Sequence, residues 1–193
     1  MLEKIYNAIF LTYENASELY EDAEILYKNG KTKRSYTFYH FSFEEGGRFF
    51  MLAKVLFQYL MKDIEKKDLN YKYLKSLGFE QHIKKLDESV FKMFAESTYN
   101  SVLDNNTELT QKLTKMHDNL KGRVNEFNNL KNRSIYLSHI NNDFVKPIDS
   151  ISTDNVEDMK QLADIQLINA KKMVERLRKE GTLEELKSKF SAK

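Results

Sequence analysis

Cysteine is absent from the 193-residue chain, which excludes a disulfide framework, a thiolate nucleophile and a cysteine-ligated zinc or iron–sulfur centre. Proline occurs once and glycine six times, too few turn formers for a sheet protein, so an all-α fold is expected. An excess of charge is missing as well. With 31 basic residues against 29 acidic ones the net charge is only +2, so there is no broad electrostatic footprint for duplex DNA, and a nucleic acid would have to be held locally. No apolar run approaches the length of a bilayer span, and the N-terminal stretch MLEKIYNAIFLTYENASELYEDAE carries acidic residues throughout. A cytoplasmic protein without a membrane partner is therefore expected. No glycine-rich phosphate loop of the Walker type occurs, which excludes ATP hydrolysis by that route.

What the chain does have is apolar mass. Hydrophobic residues make up 41%, with 13 Phe and 11 Tyr, enough for one well-packed domain and too much for a disordered chain. That domain is expected over residues 1–181, followed by a short, frayed amphipathic tail, 182–193. Apolar residues recur at helical spacing from Leu2 to Tyr27, a stripe that Asn29-Gly30 ends. The next segment, about Lys33 to Met61, is apolar nearly all round and should be the central helix. A short helix is expected at Tyr71 to Leu77 and a longer one from about Glu80 to Val102. Asp104-Asn105-Asn106-Thr107 reads as the start of another, with a heptad-like stripe from Leu109 through Leu120 and Val124 to Leu130 that stops before Pro147. Asp154 with Glu157 resembles a capping box opening the last helix, which Gly181 closes. Four to five long helices plus short ones make a helical bundle.

Function must then come from polar residues inside or on that bundle. Glu44-Glu45-Gly46-Gly47-Arg48 interrupts the most hydrophobic helix, where adjacent carboxylates and paired glycines each cost stability. Successive residues point about 100° apart, so one glutamate should face the centre while the other reaches the rim, and the glycines let another backbone come close. The pair is either a structural ion pair, with Arg48 or Lys54 as the partner, or part of a site.

A second polar feature is Lys131-Asn132-Arg133-Ser134-Ile135-Tyr136-Leu137-Ser138-His139. Arginine is a permanent cation that grips a phosphate through two hydrogen bonds, and histidine exchanges a proton near neutral pH. Together they suit metal-independent RNA cleavage, in which a base takes the ribose 2′-OH proton, that oxygen attacks the adjacent phosphorus and a cation offsets the added charge. The same spacing also occurs at Arg34 and His40. In one unbroken helix six residues place two side chains about 120° apart and about 9 Å along the axis. Either the helix ends before His139, or two copies of the site meet across a dimer. No Glu-x-x-His pair occurs, so neither a di-iron bundle nor any other metal or cofactor is expected.

Taken together these segments resemble a family. Ala16 to Leu56, with Tyr20-Glu21-Asp22-Ala23-Glu24-Ile25-Leu26-Tyr27 and then Phe43-Glu44-Glu45-Gly46-Gly47-Arg48, is similar to the start of HEPN domains of the AbiV abortive-infection type, Arg48 standing for a lysine. Leu77 to Lys85 resembles their F-x-x-H-x-x-K segment. Leu130 to Leu137, with Pro147, resembles L-K-x-R-x-x-x-Y-V…P. The resemblance implies an all-α HEPN-like bundle, a homodimer, and a metal-independent endoribonuclease whose R-x4-6-H motif lies near the end of a late helix. Arg133 and His139 occupy that place, with Arg133 holding the phosphate and His139 moving the proton; Glu44, Glu45, Asn132 and Tyr136 would support them. Ser134 stands where active members often carry Asn, Asp or His. An anti-phage toxin that cuts RNA and stops translation is the function implied, kept quiet either until a phage-encoded protein binds and rearranges the dimer or because it recognises RNA only in a particular fold. The alternative is a non-catalytic HEPN-like module that binds a protein partner or a nucleotide.

Overall fold

A computed structural model describes residues 1–191. Helices α1 (Leu2–Lys28) and α2 (Thr32–Leu60) form a hairpin across the turn at Asn29-Gly30. Contacts pair rising numbers on α2 with falling numbers on α1: Tyr39 Oη donates to Glu24 (2.6 Å), Ser42 Oγ donates to the Ala16 carbonyl (2.7 Å), and Phe49 meets the Tyr13 ring edge-on. The two helices are therefore antiparallel. A connector leads to α3 (Tyr71–Ser76), whose first turn is capped by Asn70. Then come α4 (His82–Leu103), α5 (Thr107–Gly122) and α6 (Val124–Ile135). A small hairpin, β1 (Ser138–Ile140) with β2 (Asp143–Val145), and a 3₁₀ turn (Pro147–Asp149) lead into α7 (Thr153–Glu180) and α8 (Leu183–Ser191). The architecture is all-α, apart from that hairpin.

Helix α2 is the central one, as its composition requires; nineteen of its 29 residues are buried, and α1, α4, α6 and α7 all pack on it. Its apolar residues divide between two clusters. Tyr36, Tyr39 and Phe43 join α4, α6 and the first half of α7, while the segment from Phe49 to Leu60 joins the N-terminal half of α1, the second half of α7 and α8. Glu44 to Arg48 lie at the waist between them.

Four details depart from expectation. The stripe from Leu109 to Leu130 is not one helix, because α5 ends at Gly122 and Arg123 turns the chain. Glycine is a weak helix former, and the Arg123 guanidinium stacks on Phe127 and bonds Glu126 and Asp158. Only Val124, Phe127 and Leu130 of that stripe are buried; α5 buries none of its residues. Asn141 and Asn142 both adopt positive φ, 51° and 65°, and build a two-residue primed turn between strands, a hairpin not foreseen. The capping box of α7 is Ser152 with Asn155 rather than Asp154 with Glu157. Glu157 instead accepts from Tyr27 Oη at 2.5 Å. Of the expected tail, α8 is docked rather than frayed, burying Leu183 and Leu186 in the core and packing Phe190 against it; residues 192–193 lie outside the described residues. Among the described residues no helix is long and apolar enough to cross a membrane.

Candidate functional site

The waist of α2 is held by α4. Gly47 explains the close approach, since a Cβ there would overlap the Lys85 carbonyl oxygen and crowd Ser89 Oγ. Ser89 in turn donates to the Phe43 carbonyl (2.6 Å) and accepts from Gln166 Nε2 (3.1 Å) of α7. Both glutamates are buried, 3% exposed at Glu44 and 9% at Glu45, so neither reaches an open rim. Glu44 forms an ion pair with Lys85, itself 2% exposed, and accepts from His82 Nδ1, 2.8 Å from both carboxylate oxygens. Because a carboxylate only accepts, that ring nitrogen carries the proton. Burial pushes the Glu44 carboxyl up, but hydrogen bonds from Lys85 and His82, together with their charge, hold it below its ordinary value. Glu45 pairs with Arg48 at 3.1 Å, and the Arg48 guanidinium lies over Phe79, 5.2 Å from the ring centre.

Of the two readings of Glu44-Glu45, these contacts support the structural ion pair. The partner of Glu44 is Lys85, 41 positions away, rather than Arg48 or Lys54. Its signal lay in Phe79-x-x-His82-x-x-Lys85, whose one-turn spacing puts His82 and Lys85 on one face at the start of α4. No hydrogen bond or ion pair joins either glutamate to Arg133 or His139 among the described residues.

The two Arg-x5-His pairs separate cleanly. Arg34 lies exposed in the first turn of α2, whereas His40 is fully buried and neither of its ring nitrogens has a hydrogen-bond partner. They cannot share a site open to a substrate. Arg133 is exposed in the last turn of α6, its carbonyl accepting from Ser150 Oγ at 2.9 Å. The helix ends at Ile135, and Tyr136 continues in extended conformation. His139 therefore lies on β1, exposed, facing Phe144 of β2 with ring centres 5.3 Å apart. Asn132 and Tyr136 are exposed beside Arg133. Ser134 points inward, bonded to Thr37 at 2.5 Å, and pins α6 to α2. The arginine and histidine thus sit at one end of the bundle with the helix interrupted between them.

A family model, HEPN_AbiV, described as AbiV, matches residues 4–167. The chain belongs to the AbiV family of HEPN domains. Both polar features of this AbiV-family chain, the waist of α2 and the end of α6 with its hairpin, fall inside the matched span. Neither a curated protein nor a solved structure matches the chain. HEPN domains are generally ribonucleases, and AbiV denotes an abortive-infection type.

Buried His40 yields a pH prediction. Burial, outweighing the nearby Glu44 carboxylate, pushes the imidazole down to about 3; Lys131, His82 and Lys85 push the same way. The unfolded chain therefore binds its proton first, and stability falls as pH drops from about 6.5 toward 3, by roughly 1.4 kcal/mol per unit. A His40→Phe variant is expected to remove about 2 kcal/mol of the loss between pH 7 and pH 5. Thermal melts at the two pH values read this as a Tm drop smaller by roughly 4–8 °C than in the parent.

Proposed function

We propose that this chain is a metal-independent endoribonuclease of an abortive-infection system, with Arg133 and His139 as its catalytic residues. One observation carries the reading. Of the two Arg-x5-His pairs, only Arg133 and His139 have both side chains at the surface, within the AbiV match. The His139 imidazole takes the proton of the ribose 2′-OH, the freed oxygen attacks the adjacent phosphorus, and the bond to the 5′ oxygen breaks. A 2′,3′-cyclic phosphate is left, and the departing oxygen takes up a proton. Arg133 grips the non-bridging oxygens through two N–H groups and offsets the charge that builds on the phosphorane. Asn132 and Tyr136 are assigned contacts to the flanking nucleotide. A homodimer suits this chemistry, because a second His139 could return the proton to the leaving group. Dependence on a phage-encoded activator would keep such a toxin silent in an uninfected cytoplasm.

The test is cleavage of total RNA in EDTA by the parent, Arg133→Ala and His139→Ala, alongside growth of cells expressing each. Each substitution is expected to slow cleavage at least about a hundredfold and to relieve toxicity. DNA of matching sequence stays intact because it lacks the 2′-OH. Undiminished cleavage by His139→Ala would refute the site, and a parent inert toward RNA would favour the non-catalytic module.

A further inference from the structure

Between the α1–α2 turn and the segment after β2 lies a cavity of about 750 Å³, the size of a small-ligand site. Its lining carries Lys31, Lys33, Arg34 and Lys146 against one carboxylate, Asp149. None of the four cations has an acidic partner within ion-pair distance among the described residues, and two neighbouring carboxylates are engaged elsewhere. Glu24 binds Lys28 and Lys160, and Glu157 binds Tyr27. The first turn of α2 holds no acidic residue, and its N-cap, Lys31, provides no side-chain cap. The positive end of a 29-residue helix therefore opens on the same place as the cations. In a chain of net charge +2 this is the local concentration of positive charge that a nucleic acid would need.

A second cavity, about 390 Å³, adjoins the first, and Arg34 and Pro147 line both. Its walls are Phe38, Phe41 and Ile135. The hydroxyls present, Thr37 and Ser134, are spent on each other, so the surface offered is apolar and aromatic. Such a slot accepts the face of an unstacked base and reads no sequence. The two cavities lie beside the Arg133 backbone, because Ser134 and Ile135, which line the second, directly follow Arg133, and Ser150, next to Asp149 of the first, donates to the Arg133 carbonyl.

We infer that these adjoining cavities form the binding track for single-stranded RNA. Lys31, Lys33, Arg34 and Lys146 hold phosphates next to the one that reacts, and the Phe38–Phe41 slot takes one base. Duplex RNA keeps its bases stacked and paired and cannot fill that slot. The inference rests on the ribonuclease reading for the identity of the strand, but its test reads binding alone.

The probe is a fluorescein-labelled, unstructured 2′-O-methyl RNA, which lacks the attacking hydroxyl and cannot be cut by the proposed route. Its anisotropy is followed with the full chain across a salt series. Lys33→Glu with Arg34→Glu is expected to weaken binding more than tenfold and to flatten the log–log salt dependence by roughly 0.7 per cation lost. Phe38→Ala should weaken binding several-fold with the slope unchanged. The charge-matched control Lys4→Glu with Lys179→Glu, on exposed turns of α1 and α7, should match the parent. Circular dichroism confirms that each variant is folded, and Arg34→Gln repeats the test without charge reversal. Cleft variants that bind like the control, a parent that does not bind the strand, or equal binding of a duplex would each overturn the inference. Cleavage of ordinary RNA by His139→Ala is scored separately. An unaffected rate there would remove the catalytic assignment and leave the binding track standing.

Discussion

A Lys85→Met variant is expected to lose about 3–5 kcal/mol of stability, the usual cost of stripping one partner from a buried ion pair. For a domain of this size that lowers Tm by roughly 6–20 °C. The cost arises because Glu44 stays buried with only His82 to bond it. In the parent, Lys85 and His82 keep the Glu44 carboxyl below its ordinary value. Its stabilising contribution is therefore complete above about pH 4.5 and disappears as the pH falls through the lower folded value. In the variant burial dominates and raises that carboxyl, so acid relieves the buried charge. Urea melts between pH 4 and pH 8 should show the deficit of Lys85→Met shrinking toward acid while the parent loses stability. Adding Glu44→Leu to Lys85→Met should restore most of the loss, because an apolar pair of similar volume replaces the charges. A double variant as unstable as the single one would show that the pair does more than hold α2 to α4.

Gly47→Ala is expected to cost about 3 kcal/mol, against a helix propensity that alone would favour alanine by about 1 kcal/mol. The new methyl group meets the backbone carbonyl oxygen of Lys85 and the Ser89 hydroxyl. Backbone cannot rotate away, so α4 must retreat from α2 and take Lys85 with it. Gly46→Ala provides the comparison. Its methyl group would overlap only the buried side chain of Gln166, which can shift by giving up its bond to Ser89, so its cost should be smaller, about 1–2 kcal/mol. Urea midpoints of the two variants check the difference, and equal midpoints would remove the backbone argument.

The helices were legible because their causes are local. The stripe of α1, the uniformly apolar α2 and the Asn106 start of α5 are all written in neighbouring residues. The break at Gly122-Arg123 was not, because a heptad stripe continues across it and only the side-chain partners of Arg123 show that the chain turns. The close approach at Gly46-Gly47 was also readable, since paired glycines inside an apolar helix have few other uses. What approaches was not, because Lys85 meets Glu44 across a tertiary gap that no spacing rule spans. The same holds for the histidines. Spacing offers two Arg-x5-His pairs as equals, and burial separates them, hiding His40 in the core and leaving His139 on a hairpin that Asn141-Asn142 could have announced. The basic run Lys31-x-Lys33-Arg34 is visible as a charged turn. Lys146 joins it only through the fold.

The polar waist makes α2 a rod shared by two hydrophobic bodies, which the chain between α4 and α7 also straps together. Within the body closed by α8 the core is apolar and indifferent to protons, whereas the other body holds His40 against Tyr36 and the joint holds the Glu44–Lys85 pair. Acidification therefore acts first on the body that holds His40, from about pH 6.5 downward, and on the joint only as Glu44 takes up its proton, so the end bearing Arg133 and His139 loosens while the end closed by α8 keeps its internal packing.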